Sequence, residues 1–541
     1  MSKLSRFLLV FSLMAPGAVV SCTDANLEQI TIKNNPKNDD SSQNNQPIID
    51  NPNSNNDNSK DNSDALPDTN SISEQPSVET NPVSNTEIKT TNYQFNPIQA
   101  SRNTFLTKND DYIQSIKYRT FSLKWYMQQK GTTQGYSVSG TLWMLDYMHL
   151  GNNKFKFYFG TNYHVASNLF SAKDYDIYQQ PNRLKTFNPY YYEFAWASDA
   201  YDTNSKVGDS NWNRVQIPFN SKNSILRNFF LAHNFLQPNA LPNLKSTYFA
   251  DFAIVEFEID LDALSKSDYK AKAFRVKLAQ AMNEVNKSIK KFTNLDQTNS
   301  NKYLFTDNKI PYATLDYASV LDTYEKSKTN SLEQISEIVK EKLATYNYSL
   351  VPRYLYSFGY PAPSENNDSG IFNTIDANER NTLGYSSDDP SLGFSIQKDY
   401  VLKNYDQNSY FNNEVATKFY AFMYSFNSKN APDKGASGSL VLNEQGLPIG
   451  LLLGHLSNPV TYIDANKNFQ EASRALIQPF VQNIPLYSQN NQITIPAFNL
   501  LDHTNSELYP QQLVSYRSRI NDVYGKDAKT AVFGGEIVTL L

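Results

Sequence analysis

The stretch from Lys434 to Leu451 constrains this chain more than any other. Lys434-Gly435-Ala436-Ser437-Gly438-Ser439 runs into the apolar residues Leu440-Val441-Leu442. The turn signal Asn443-Glu444-Gln445-Gly446 comes next, and then a second apolar run, Pro448-Ile449-Gly450-Leu451. Two apolar runs joined by such a turn read as a β-hairpin, which commits this part of the chain to antiparallel β structure. Small residues around Ser437 suit an ordinary tight turn. They also suit a nucleophilic serine, because backbone N–H groups must approach the oxygen of the reacting carbonyl. Which reading holds depends on whether the rest of the chain supplies a base and an acid to orient it.

At 541 residues the chain is long enough for two substantial cores. Its net charge of −5 and its scattered basic residues lack the concentrated positive face of a nucleic-acid binder, so no nucleic-acid partner is expected. Cys22 is the only cysteine, so no intramolecular disulfide can form and stability must come from burial.

The N-terminus has the form of a targeting segment. Lys3 and Arg6 precede the apolar run Phe7 to Val20, which is too short to span a bilayer and is interrupted by Pro16-Gly17. Cys22 sits where cleavage would fall, in Val19-Val20-Ser21-Cys22. This resembles a bacterial lipoprotein signal over residues 1–21, with Cys22 lipidated as the mature N-terminus. That resemblance implies a chain lipid-anchored to the cell membrane on its extracellular face. Residues 22–91 are mostly Asn, Asp, Ser, Pro, Gln and Thr. They are expected to be a disordered tether, because they cannot bury enough apolar surface to offset their ordering entropy. A flexible tether of this length reaches roughly 45–50 Å.

The folded region, 92–541, reads as mainly β. Strands are predicted at Tyr118–Gln128, Tyr136–Leu145 and Lys154–Phe159, with a turn over Asp146–Asn153, and His164 lies just after the third strand. The Tyr- and Asn-rich stretch Ser171–Ser246 reads as an irregular insertion. Thr247–Ile259 is a further strand, with Asp251 just inside its start. Phe274, Leu278, Met282, Val285, Ile289 and Phe292 recur at helical spacing. A second helix is predicted at Leu332, Ile335, Val339 and Leu343, behind the capping pattern Ser331/Gln334. Strands resume at Arg353–Pro361, and after a loop over Ala362–Leu392 strand-like patches run up to Tyr424. The hairpin is expected to end at Gly454-His455. A polar connection after Ile484 leads to a helix over Tyr516–Tyr524.

His164, Asp251 and Ser437 occur in that order, each in the local setting that acyl-transfer catalysis needs. Ser437 would be the nucleophile and His164 the general base and then acid. Asp251 would orient the imidazole and stabilise it when charged. The N–H groups of Gly435 and Ser437 would form the oxyanion hole. No cofactor and no metal is expected.

Gly160-Thr161-Asn162-Tyr163-His164-Val165, Asp251-Phe252-Ala253-Ile254-Val255 and Gly435-Ala436-Ser437-Gly438-Ser439 resemble the three signatures of trypsin/chymotrypsin-like serine proteases. Phe358-Gly359-Tyr360-Pro361 is similar to a strand of bacterial glutamyl-endopeptidase relatives. That resemblance implies two antiparallel β-barrels with the site between them. The first barrel would span about 115–262 and the second about 350–485. A helical insertion would cover about 264–345 and a C-terminal extension 486–541. It also implies a primary substrate pocket lined by Ala431, Leu453 and Gly454, without a carboxylate placed as in trypsin. The long intervals between the three signatures fit inserted loops and helices. Ala436 stands where trypsin-type zymogens carry an activation Asp, so that switch is not expected.

The lipoprotein signal, the Asn-rich tether, the Tyr/Asn-rich insertions and the tail from Ser515-Tyr516-Arg517 to Lys529-Thr530 resemble the mycoplasma immunoglobulin protease family. The resemblance implies a surface endopeptidase that cleaves antibody heavy chains presented by a separate immunoglobulin-binding lipoprotein. Two other readings compete. In an α/β-hydrolase, Gly-x-Ser-x-Gly precedes a helix, whereas here the fifth residue is Ser439 and a hairpin comes after it. A catalytically silent protease fold could serve as an adhesin or an immunoglobulin-binding module.

Overall fold

The computed structural model describes residues 19–21, 30–31, 109–197, 212–241, 244, 247–264, 268–295, 317–318, 355–360, 394–397, 403–411, 414–428, 435–443, 446, 448–463, 469–483, 485–488 and 492–540. Cys22, Ala431, nearly all of the tether and the helix predicted over 331–343 lie outside them. By internal contacts, residues 1–31 and 92–541 form one unit and residues 32–91 another. All the described strands and helices belong to the first.

The short strands β1 (Val19–Ser21) and β2 (Ile30–Thr31) come first, within the stretch expected to be leader and tether. Helix α1 (Asn109–Arg119) leads into β3 (Thr120–Gln129), β4 (Gln134–His149) and β5 (Lys154–Thr161). Helices α2 (Tyr163–Ala166) and α3 (Pro181–Thr186) precede β6 (Phe187–Ala197), β7 (Trp212–Pro218), β8 (Ser224–His233) and β9 (Tyr248–Asp260). After helix α4 (Tyr269–Leu295) come β10 (Leu355–Ser357), β11 (Phe394–Gln397), β12 (Lys403–Phe411), β13 (Glu414–Phe419) and β14 (Met423–Ser428). The hairpin strands are β15 (Leu440–Asn443) and β16 (Pro448–Ile463), and β17 (Phe469–Pro479) lies after them. Four short strands then lead to the C-terminal helix α5 (Tyr516–Tyr524), as predicted.

Two sheets dominate. The larger runs β12-β13-β9-β5-β4-β3-β6-β7, with β8 also on β9 and β2 on β4. The smaller runs β10-β15-β16-β17-β14-β11, with β1 on β16. The β13–β9 pair is parallel and every other described pair in these sheets is antiparallel. The fold is therefore mainly β. Among the described residues neither sheet closes on itself, so the two closed barrels expected from the sequence are not seen. β12 and β13 fall in the expected second half of the chain yet pair in the larger sheet, through β9.

The Tyr/Asn-rich stretch departs most from expectation, because it forms β6, β7 and β8 rather than an irregular insertion. Phe187 to Ala197 is dense in tyrosine, which suits either face of a strand, so no polar–apolar alternation marks it. The strand is buried towards its C-terminal end, where Tyr192 and Phe194 are fully buried, while Tyr190, at a register shift against β3, is 57% exposed. β4 runs through the predicted turn to His149, with a register shift between Met144 and Asp146. β16 likewise passes Gly454-His455 and continues to Ile463.

The core of the larger sheet is aromatic. Phe121, Phe159, Phe194 and Phe257 meet in edge-on and tilted pairs. Helix α4 covers them with Phe274, Leu278, Met282 and Val285, all fully buried, as their spacing predicts. Between the sheets, Phe480 packs 5.8 Å from Trp143 and 5.3 Å from Phe252, ring centre to ring centre. Trp143 lies across Gly160, where a Cβ would stand 2.6 Å from the indole, so glycine is required there.

Asp146 ties the C-terminal tail to β4. Its buried carboxylate accepts from the N–H of Tyr147 (2.7 Å) and of Val532 (3.0 Å), the Tyr516 hydroxyl (3.0 Å) and the Thr530 hydroxyl. Burial raises its pKa from 3.8 to about 6, against the opposing hydrogen bonds. A folded-state value above the unfolded one contributes stability that is fully present below pH about 4. That contribution is lost as the pH rises through about 6, a change of about 3 kcal/mol at about 1.4 kcal/mol per unit. Thermal melting between pH 4 and 7 should therefore show this slope in the native protein and not in Asp146→Asn.

Candidate active site

Strand pairing brings His164 and Asp251 together. In the antiparallel β5–β9 ladder Thr161 stands opposite Ala253, so the residues just after Thr161 meet those just before Ala253. The chain then turns into the one-turn helix α2, which carries His164. Nδ1 of His164 lies 2.7 Å from Oδ2 of Asp251, and the His164 backbone N–H donates to Oδ1 at 3.0 Å. A carboxylate can only accept, so Nδ1 carries a proton, and in the neutral imidazole Nε2 is then the nitrogen with the lone pair. Nε2 is buried and has no hydrogen-bond partner among the described residues. This is the tautomer a general base requires.

The rest of Asp251 is held as firmly. Its carbonyl accepts from Asn162 Nδ2 at 2.9 Å, and its N–H donates to Gln478 Oε1 at 3.1 Å. Asp251 is 2% exposed and His164 4%, so water competes little with these bonds.

Ser437 sits in the turn before β15, between two glycines with positive φ, Gly435 (89°) and Gly438 (93°). The turn is docked on the larger sheet. Thr141 of β4 donates its N–H to the Ser437 carbonyl and its hydroxyl to the Gly435 carbonyl, both at 3.1 Å. A Cβ on Gly438 would stand 2.3 Å from the Thr141 carbonyl and 2.6 Å from Oγ1 of Thr161. Thr161 is three residues before His164, so the serine turn lies against the strand end that delivers the histidine. The Ser437 hydroxyl donates to the Leu453 carbonyl at 3.2 Å and not to His164. The N–H groups of Gly435 and Ser437 donate to no described residue, which leaves both open, among those residues, to an incoming oxygen.

Leu453, a pocket candidate, is buried and meets the serine through its carbonyl, while Gly454 pairs with Leu476 on β17. Gly359 admits the Ser439 hydroxyl where a Cβ would collide with it, and the Tyr360 N–H donates to the Thr141 hydroxyl at 2.9 Å. The Phe358-Gly359-Tyr360 pattern thus braces the serine turn. Sequence reasoning missed Thr141, Asn162 and Gln478 as supports. Thr141 and Gln478 read as ordinary strand residues, and Asn162 as part of the histidine signature without a role of its own. Among the described residues no cluster of three His, Cys, Asp or Glu side chains could hold a metal ion.

The model of the Mycoplasma immunoglobulin protease family matches residues 110–454, a span that contains all three of His164, Asp251 and Ser437. The chain belongs to that family. It is 25% identical over 483 residues to an uncharacterised lipoprotein of Mycoplasma capricolum subsp. capricolum, covering 75% of this chain and 67% of the relative. It is also similar to a chain in the solved structure of the mycoplasma MIB and MIP proteins, with 18% identity and a TM-score of 0.40. That match covers 76% of this chain, which spans only 62% of the solved one. No described helix is long and apolar enough to cross a membrane.

The glycine in the serine turn offers a direct check. Gly438→Ala combines an unfavourable positive φ with a collision against the Thr141 carbonyl, together costing about 2–4 kcal/mol. Calorimetry should record a lower melting temperature, whereas alanine at exposed Gly525, with φ 93° but open space, should cost only the backbone part.

Proposed function

We propose that this chain is a serine endopeptidase in which Ser437 attacks the peptide carbonyl. His164 takes the proton from the serine hydroxyl and returns it to the leaving amine, and Asp251 holds the imidazole and offsets its charge. The tetrahedral oxyanion would be received by the N–H groups of Gly435 and Ser437, each such donor lowering the barrier by about 2.7–4 kcal/mol. The acyl-enzyme is then hydrolysed by water through the same groups. The observation that carries this reading is the buried His164–Asp251 pair, with an unpartnered Nε2 beside a docked serine turn. Asp251 on the larger sheet, His164 on the short helix after β5 and Ser437 in the turn before β15 support a trypsin-like division of labour, although neither sheet forms a closed barrel among the described residues.

Membership in an immunoglobulin protease family supports the antibody heavy chain as substrate. A lipoprotein relative and the Cys22 signal support a lipid anchor on the outer face of the membrane. A separate immunoglobulin-binding lipoprotein would present the antibody. The contact of the Ser437 hydroxyl with Leu453 rather than His164 favours one other reading, a catalytically silent fold that binds immunoglobulin. The enzyme reading requires the hydroxyl to leave Leu453 for Nε2.

A fluorophosphonate probe separates the two readings. The native protein should be labelled and Ser437→Ala should not, while absence of labelling in the native protein overturns the enzyme reading. Asp251→Asn should lower turnover by about 10⁴-fold by spoiling the tautomer of His164. Incubation with antibody tests the substrate: heavy chains left intact while casein is cut would exclude immunoglobulin as the preferred target.

A further inference from the structure

Gln478 is fully buried on β17, in the sheet that carries the serine, yet its side chain reaches into the other sheet. Its Oε1 accepts the backbone N–H of Asp251 at 3.1 Å, and its Nε2 donates to the Pro479 carbonyl at 3.1 Å. Gly450 lets the neighbouring strand β16 close up on β17 here, because a Cβ there would stand 2.2 Å from the Gln478 backbone carbonyl. On β16, a few residues further on, the Leu452 and Leu453 carbonyls accept from the Gly438 N–H (3.0 Å) and the Ser437 hydroxyl (3.2 Å).

The Asp251 carboxylate has no support of its own beyond the histidine. Among the described residues both of its hydrogen bonds go to His164, one to the ring and one to the main chain. Its direction is therefore set through the main chain of Asp251, which two side chains clamp: Asn162 from within the same sheet and Gln478 from the opposite one. Of the two, Gln478 alone joins the half that carries the base to the half that carries the nucleophile.

We propose that Gln478 is a positioning residue that sets the His164–Asp251 pair in register with Ser437 across the boundary between the sheets. This rests on the triad reading of Ser437, His164 and Asp251. Losing the strut leaves the catalytic groups intact but lets β9 shift against β17. A displacement of about 1 Å between reacting groups costs on the order of 100-fold in rate. Overall stability should change far less, because Phe480, Trp143 and Phe252 still fill the boundary.

The test compares fluorophosphonate labelling rates and melting temperatures of the native chain, Gln478→Met and Gln478→Glu across pH 5 to 9. Methionine keeps the length and removes the acceptor; glutamate keeps the length and the acceptor but loses the Nε2 donor to the Pro479 carbonyl. The Met variant is expected to label about 10- to 100-fold more slowly, with the midpoint of its pH profile displaced and its melting temperature within a few degrees of native. The Glu variant should label faster than the Met variant. Native-rate labelling of Gln478→Met with an unmoved midpoint overturns the inference. If Gln478→Met does not fold, Gln478→Leu, which also removes the acceptor, decides: labelling slowed about tenfold or more in a folded protein supports the strut, and labelling nearer to the native rate overturns it. An unlabelled native protein overturns the triad reading and this inference with it, whereas a labelled native protein with an unaffected Met variant overturns this inference alone.

Discussion

Thr141 is the side chain on which the site depends. It is buried midway along β4, and its four polar contacts point to three separate parts of the chain. Its N–H and hydroxyl hold the carbonyls of Ser437 and Gly435, the hydroxyl accepts from Tyr360, and its carbonyl accepts from Thr161. A threonine is among the few residues that can do this, since its hydroxyl donates and accepts at once while its methyl packs in a strand. The residues it joins are far apart in sequence, so these bonds form only after both sheets have been assembled. The serine turn is thus a product of tertiary structure, and its two positive-φ glycines are stabilised by bonds outside the turn.

The two sheets meet along an apolar seam with a few polar crossings. Phe480, Trp143 and Phe252 supply burial, which is non-directional and tolerates sliding. Thr141 and Gln478 supply hydrogen bonds, which do not tolerate it. Their roles divide accordingly: Thr141 fixes the Ser437 turn against the larger sheet, and Gln478 fixes Asp251 against the smaller one. A buried hydrogen bond of this kind adds only about 0.5–1.5 kcal/mol to stability, but leaving one partner unsatisfied costs about 1–3 kcal/mol. That asymmetry makes slippage expensive even where the bonds add little.

How much of this was legible in the sequence depends on the range of the interactions. The helix α4 stripe, the β9 strand and the hairpin after Ser437 are local patterns and appear where periodicity puts them, although β16 runs on past its expected end to Ile463. The three residues of the proposed triad each sit in a short motif of their own, and of these the structure brings His164 and Asp251 into direct contact. The strand β6 was not legible, because its tyrosine-rich segment carries no polar–apolar alternation to read; β7 does alternate, with Val215 and Ile217 buried between exposed Arg214 and Gln216, but it lies inside a stretch that reads as one insertion. Thr141 and Gln478 were invisible for another reason: nothing about a threonine or a glutamine in a strand reveals a partner some 200 to 300 residues away in sequence. Strand pairing also crossed the expected halves, since β13 chose β9 and took part of the second half into the larger sheet.

The C-terminal tail acts on the same strands from a distance. Tyr516, Thr530 and Val532 all bond to Asp146, which lies in the same strand as Thr141. Tyr524 of helix α5 also donates to fully buried Glu256 on β9, which Arg227 pairs with at 2.5 Å. The tail therefore clamps both strands that carry the site's supports, β4 at Asp146 and β9 at Glu256. It does so away from the site itself: five residues beyond Thr141 on one strand and five beyond Asp251 on the other. A tail read from sequence as an extension is structurally part of the frame that keeps β4, β5 and β9 in register. Since that register puts His164 beside Asp251, the geometry of this pair depends on residues of the C-terminal tail, Tyr516 to Val532.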